Sequence, residues 1–287
     1  KHTVTYQSIG SSNGIKLLKE NKIDFSVSEI PISQPNRDYV QIPITIGAIS
    51  IGYNLPGVPL IKLSPKVLRL IFNGSISYWD DPKIQSLNGF TTLPHQKIHI
   101  GKRTESSGTH YLLSEYLSVY RSRFLNRKKR RPFSISSGTT VQSNSEMATF
   151  ISKTTGSIGY LSYQHAEKAN ISVASIKNKS GNYILPSLNT LITASSSPSE
   201  DKLSPLLESV NSLAYPICGV SWMAFKRNFD TDRSLNDVKE FVNFIWWLTH
   251  EGQTFALETN FPPLPKHLMK KATEKIKHIT YSGVILY

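Results

Sequence analysis

The sequence predicts an α/β fold, and three observations carry that prediction. Short β-branched runs alternate with amphipathic segments along the chain, which is the pattern of packed strands and helices. The run Ile42 to Tyr53 is apolar and β-branched enough to read as buried strand. Two Ser-rich segments, Ser11-Ser12-Asn13-Gly14 and Ser106-Ser107-Gly108, stand directly before helical patterns.

Taken in order, Thr3 to Tyr6 reads as a strand and Ile9 to Gly14 as a loop. Ile15, Leu17 and Leu18 open a short helix that ends near Glu20-Asn21. Phe25 to Val27 reads as a strand with Glu29 just past it and Pro31 marking the exit. Leu63 to Phe72 has helical period, and Asn73-Gly74 is a stop signal. Ile98 to Ile100 is a strand running into Arg103. The helix expected from about Thr109 to Tyr120 places Leu112, Leu113, Tyr116, Leu117 and Tyr120 at 3.6-residue spacing. Gly156 to Tyr160 is a turn into a strand, and Ala194 to Asp201 is a Ser- and Pro-rich surface loop. Pro216 to Phe225 reads as a strand. Ser234-Leu-Asn-Asp237 resembles a capping box with Asp in the Glu place. It opens a helix with Val238, Phe241, Val242, Ile245 and Thr249 on one face, ending by Gly252. A last helix runs from about Pro265 to Ile279, with Leu268, Ala272 and Ile276 on one face.

The 287 residues suffice for one large domain or two medium ones, and 39% hydrophobic content is ordinary for a folded chain. Lys and Arg number 33 against 20 Asp and Glu, a net charge of +13 that favours an anionic partner without choosing among a small anion, nucleic acid or lipid. The single cysteine, Cys218, excludes an internal disulfide and a Cys-based metal site. The eight histidines form no His-Glu-x-x-His pattern, which argues against a metal enzyme. No stretch approaches 18 apolar residues, and the chain opens on Lys1-His-Thr-Val-Thr rather than on a leader pattern.

Ser107-Gly108-Thr109 is the strongest local signal for chemistry. Unpaired N–H groups at a helix start attract an anion, two hydroxyls add donors, and glycine lets backbone approach a ligand. Arg103, four residues upstream, can add a planar charged fork. The competing reading is an ordinary N-cap with a surface arginine. Ser11 to Gly14 repeats the device more weakly, and Glu29 alone reads as a solvated carboxylate before a turn. Seven basic residues lie between Arg121 and Arg131. No aromatic residue within Arg127 to Arg131 offers a stacking platform for bases, so a solvated helix end and loop is the preferred reading. No nucleophile–base pair is evident in the sequence, and an enzyme is not expected.

Six segments in this order resemble the phosphate-binding proteins of bacterial phosphate ABC transporters. They are Tyr6-Gln-Ser-Ile-Gly-Ser-Ser-Asn-Gly14, Asp24-Phe-Ser-Val-Ser-Glu-Ile-Pro31, Ile71-Phe-Asn-Gly-Ser-Ile-Ser-Tyr-Trp-Asp-Asp81, Arg103-Thr-Glu-Ser-Ser-Gly-Thr109, Gly156-Ser-Ile-Gly-Tyr160 and Ala214-Tyr-Pro-Ile217. The likeness runs the length of the chain, to Leu286-Tyr287. It implies a type II periplasmic binding protein: two α/β lobes joined by two crossing strands, closing on the ligand like a hinged clamp. The crossings would fall near Gly47–Gly52 and Ala214–Ile217, with residues 1–48 plus 214–287 as lobe I and 49–213 as lobe II. It also implies that phosphate is bound between the lobes by Ser11 and Glu29 of one and by Arg103, Ser107, Gly108 and Thr109 of the other.

Glu29 falls where the family has an aspartate that accepts the proton of phosphate. Sulfate lacks that proton at neutral pH and would leave two acceptors face to face. Glu105 likewise stands where an Asp usually supports the arginine. Thr140 to Ser145 replaces a Gly-Asn-rich loop. The family's Gly-rich opening strand and loop is absent ahead of Lys1, so the first lobe is expected to lack its N-terminal strand and helix. The resemblance implies a monomeric, non-catalytic receptor exported to the periplasm or cell surface, with a membrane permease as partner, no nucleic-acid partner and no cofactor. A divergent relative with altered or lost anion binding, acting as a surface or adhesion protein, is the alternative. Nucleic-acid binding through the basic tract is a third reading.

Overall fold

The computed structural model describes residues 3–32, 38–104, 106–119, 133–196, 209–230 and 233–286. Glu105, the Arg121–Arg131 tract and the end of the Ala194–Asp201 loop lie outside them, so the readings made there concern residues beyond those described.

From the N-terminus come helix α1 (Ser11–Lys19), strands β1 (Phe25–Ser28), β2 (Tyr39–Tyr53) and β3 (Lys62–Leu63), and helices α2 (Pro65–Phe72) and α3 (Pro82–Gln85). Strand β4 (His99–Arg103), helix α4 (Gly108–Val119), strand β5 (Thr139–Val141), helix α5 (Asn144–Lys153), strand β6 (Ser157–Ser162) and helix α6 (Tyr163–Lys168) follow. Then come β7 (Ser175–Lys177), β8 (Tyr183–Ile184), α7 (Leu188–Ser195), β9 (Cys218–Lys226) and β10 (Asn228–Phe229). The last described elements are α8 (Leu235–Thr249), α9 (Lys266–Ile276), β11 (Thr280–Tyr281) and β12 (Val284–Ile285). The chain forms two compact units, Lys1–Ile46 with Val220–Tyr287, and Gly47–Gly219.

In the first unit β1 runs antiparallel to β9, with Phe25 opposite Phe225 and Ser28 opposite Trp222. Alternate residues of β2, Val40, Ile42 and Ile44, point into a core with Met223 and Phe225 of β9, Val242 and Ile245 of α8, and Ala272 and Ile276 of α9. Phe241 meets Phe225 edge-on at 5.5 Å between ring centres, a favourable arrangement of two ring quadrupoles. Ser234 caps α8 by accepting from Asp237 N at 3.1 Å, and its hydroxyl donates to Asp237 Oδ2 at 2.7 Å.

In the second unit β6 pairs antiparallel with the end of β2, and β4 runs parallel to both β6 and β5. Neighbouring strand residues point to opposite faces, and β6 shows what covers each. Tyr160 meets the Phe72 ring of α2 edge-on at 5.7 Å, and its hydroxyl lies 2.7 Å from His110 of α4. On the other face a side chain at Gly159 would collide with Met147 of α5, and a Cβ on Gly101 of β4 would lie 2.7 Å from the same sulfur. Helix α5 therefore seats directly on backbone, which is why the strands carry glycine there. Trp79 is fully buried against Tyr53, and its indole N–H donates to Gly156 O at 2.9 Å.

Three local expectations need correction. Thr3 to Tyr6 is not a strand. Val4 and Tyr6 are 50% and 62% exposed, and no described strand supplies the hydrogen-bonding neighbour that strand residues need. Ser11 to Gly14 is the first turn of α1 rather than a loop. Gly10 supplies the break, at φ 84°, in the region glycine enters without steric cost. Helix α2 starts at Pro65 rather than Leu63, because Ser64 Oγ accepts from Val67 N at 3.3 Å and proline pre-sets the first helical φ.

Candidate anion-binding site

Within the second unit, β4 delivers Arg103 and the turn after it delivers the start of α4. Arg103 is only 8% exposed, so its charge is largely withdrawn from water. Its guanidinium is fixed at two corners: Nη1 donates to Asn144 Oδ1 at 2.8 Å and Nη2 to Gln142 O at 2.9 Å. Its backbone N–H donates to the Tyr160 hydroxyl at 2.9 Å. That hydroxyl also lies 2.7 Å from His110 Nδ1. Burial pushes the Tyr160 phenol well above its ordinary range, against the opposing pull of Arg103, so the hydroxyl stays protonated.

Ser107, Gly108 and Thr109 are buried at the start of α4. Ser107 Oγ accepts from His110 N at 3.4 Å, a long N-cap bond, and makes no hydrogen bond as a donor among the described residues. The backbone N–H groups of Gly108 and Thr109 have no partner there either. This is the arrangement at which an anion gains most: two orphan amides, a hydroxyl proton and the positive end of a three-turn helix. Thr109 Oγ1 leans the other way, onto Asn144 Oδ1 at 3.4 Å.

His165 of α6 stands near the same cation. Its imidazole lies 2.7 Å from Ser162 Oγ, and its pKa is lowered first by burial, then by Lys168 and Arg103. An NMR titration should place its midpoint below that of an exposed histidine. Because the folded value is the lower one, its contribution to stability is lost as pH falls through the ordinary histidine range. A midpoint at or above the ordinary value would contradict this environment.

Within the first unit, Ser11 lies in the first turn of α1 and Glu29 directly after β1. Ser11 Oγ donates to Glu29 Oε2 at 2.9 Å, and Ser221 of β9 approaches Oε1 at 3.4 Å. The first-turn N–H groups of Ser12 and Asn13 have no partner among the described residues. Glu29 is thus no solvated turn residue. It is held by two hydroxyls beside a helix start.

The six sequence candidates therefore form two sets, Ser11 with Glu29 and Arg103 with Ser107, Gly108 and Thr109. Sequence reading missed Asn144, Tyr160, His110 and Ser221. Asn144 and Tyr160 lay within segments singled out for other reasons, but nothing in their spacing tied them to Arg103. Ser221 is joined to Glu29 only through the register of β9 on β1.

The profile of the PBP superfamily domain matches residues 1–248. The chain belongs to the PBP superfamily. This PBP chain is 28% identical to the phosphate-binding protein PstS of Pasteurella multocida over 278 residues, 93% of this chain and 80% of that protein. Among solved structures, the periplasmic phosphate-binding protein PfluDING superposes with a TM-score of 0.72 at 16% identity, covering 93% of this chain and 85% of that one. The phosphate-binding protein of Stenotrophomonas maltophilia gives 0.68 at 18% identity, covering 98% and 89%. The fold of this PBP superfamily chain is that of the type II periplasmic binding proteins. None of its described helices is long and apolar enough to cross a membrane.

Proposed function

We propose that the chain is a non-catalytic receptor for inorganic phosphate that hands its anion to the permease of a phosphate ABC transporter. The observation that carries this reading is the start of α4, where a buried arginine adjoins the N–H groups of Gly108 and Thr109, which have no partner among the described residues. A helix start with such donors suits a tetrahedral oxyanion. The relatives named above, called phosphate-binding proteins, support the same ligand, and the resemblance of the six sequence segments to receptors of phosphate ABC transporters supports the permease as partner. The resemblance implies work in the periplasm or at the cell surface, and the periplasmic description of PfluDING supports the first. Arg103, Ser107, Gly108 and Thr109 supply donors from the second unit. The resemblance adds Ser11, and Glu29 as the acceptor of the phosphate proton.

Glu29 gives the reading its selectivity. At neutral pH phosphate carries a P–OH donor and sulfate does not, so a fixed carboxylate accepts from the first and repels the second. Calorimetric titration of the protein with phosphate should give saturable heat at micromolar protein. A folded protein that gives none would overturn the proposal. Glu29→Gln should narrow the ratio of phosphate to sulfate affinity, because the amide can donate to a sulfate oxygen. An unchanged ratio would remove Glu29 from the site.

A further inference from the structure

Asn144, the first residue of α5, is not among the anion donors, yet three elements meet on its side chain. Its Oδ1 accepts from Arg103 Nη1 of β4 at 2.8 Å, from Ser162 N of β6 at 3.3 Å and from Thr109 Oγ1 of α4 at 3.4 Å. Arg Nη1 and a backbone N–H can only donate, so the atom they face is the carboxamide oxygen and the amide orientation is fixed. The contact to Arg103 is the shortest and involves a charge, which makes it the strongest of the three.

The position of this oxygen is set by α5 itself. Ser143 caps the helix by accepting from Glu146 N at 3.0 Å, and Glu146 Oε2 accepts from Gln142 N at 2.9 Å. The Gln142 carbonyl then takes Arg103 Nη2 at 2.9 Å. One capped helix start thus presents two acceptors, Asn144 Oδ1 and Gln142 O, to the two terminal nitrogens of one guanidinium. A planar fork held at both nitrogens loses its rotation about the Cζ–Nε direction, and its orientation is settled before any ligand arrives.

We propose that Asn144 is the positioning residue of the anion site, setting the plane of the Arg103 guanidinium and the rotamer of Thr109 in advance of phosphate. This rests on the phosphate reading for its consequence, but not for its geometry, and the two can be tested apart. In the free protein, the Arg103 Nη protons should give separate, slowly exchanging NMR resonances that average in Asn144→Ala. Unchanged resonances in that variant would overturn the inference whether or not phosphate binds. For binding, phosphate titrations of wild type, Asn144→Ala, Arg103→Lys and the double variant form a cycle. Lysine keeps the charge but has no fork for Asn144 to hold. Asn144→Ala should weaken phosphate by about tenfold in the wild-type background and by less than about twofold beside Arg103→Lys. Equal losses in both backgrounds, or no loss in the first, would overturn the inference. If wild type bound no phosphate while the resonances behaved as expected, only the ligand assignment would fall.

Discussion

Arg103→Ala is expected to weaken phosphate binding by about 1.5–3 kcal/mol, roughly ten- to a hundredfold in affinity. Two effects add. The anion loses a charge-assisted donor in a place shielded from water, where such a bond is worth more than at an exposed surface. Two acceptors, Asn144 Oδ1 and Gln142 O, also lose their partners at 2.8 and 2.9 Å. Arg103→Lys should lie between the alanine variant and wild type, since it returns the charge without the fork. Isothermal calorimetry distinguishes these outcomes directly. An alanine variant within twofold of wild type would mean that the guanidinium does not touch the ligand.

The largest effect on stability is expected at Trp79. Trp79→Ala should cost about 3–5 kcal/mol, because it leaves a cavity in a close-packed core. It also strands the Gly156 carbonyl that the indole N–H satisfies at 2.9 Å. Trp79→Phe refills part of the volume but not the hydrogen bond, and should cost less. Phe90 is the control. Its side chain is fully exposed, and Phe90→Ala should change stability by no more than about 0.5 kcal/mol. Denaturant unfolding, followed by a probe in the second unit, checks all three. A Trp79→Ala midpoint equal to that of Phe90→Ala would refute the account of this core.

Particular residues show what the sequence could and could not convey. The stop of α2 at Asn73-Gly74 and the buried face of α9, Leu268, Ala272 and Ile276, were legible because caps and apolar period act within a few residues. The start of α4 was legible for the same reason, as serine and glycine carry their chemistry locally. Thr3 to Tyr6 was misread because strand formation is not local: suitable side chains form no strand without a partner backbone. Asn144 was invisible as a partner of Arg103 because 41 positions separate them, and only the register of β4 on β5 and the cap of α5 bring them together. Glu29 stood out as a candidate only through family resemblance. Its own neighbours in sequence gave no hint of Ser221, which lies 192 positions away.

The division of the chain carries a consequence for the newborn polypeptide. The second unit, Gly47–Gly219, is one continuous stretch, whereas the first needs both ends of the chain. As synthesis proceeds from the N-terminus, the second unit has all its parts before the first has its β9, α8 and α9. Val40, Ile42 and Ile44 are made early, but their partners Met223, Phe225, Ile245 and Ile276 emerge last. Until then an apolar strand waits uncovered, a hazard for sticking to other chains. A chaperone that holds this early segment would guard the unit that cannot fold on schedule.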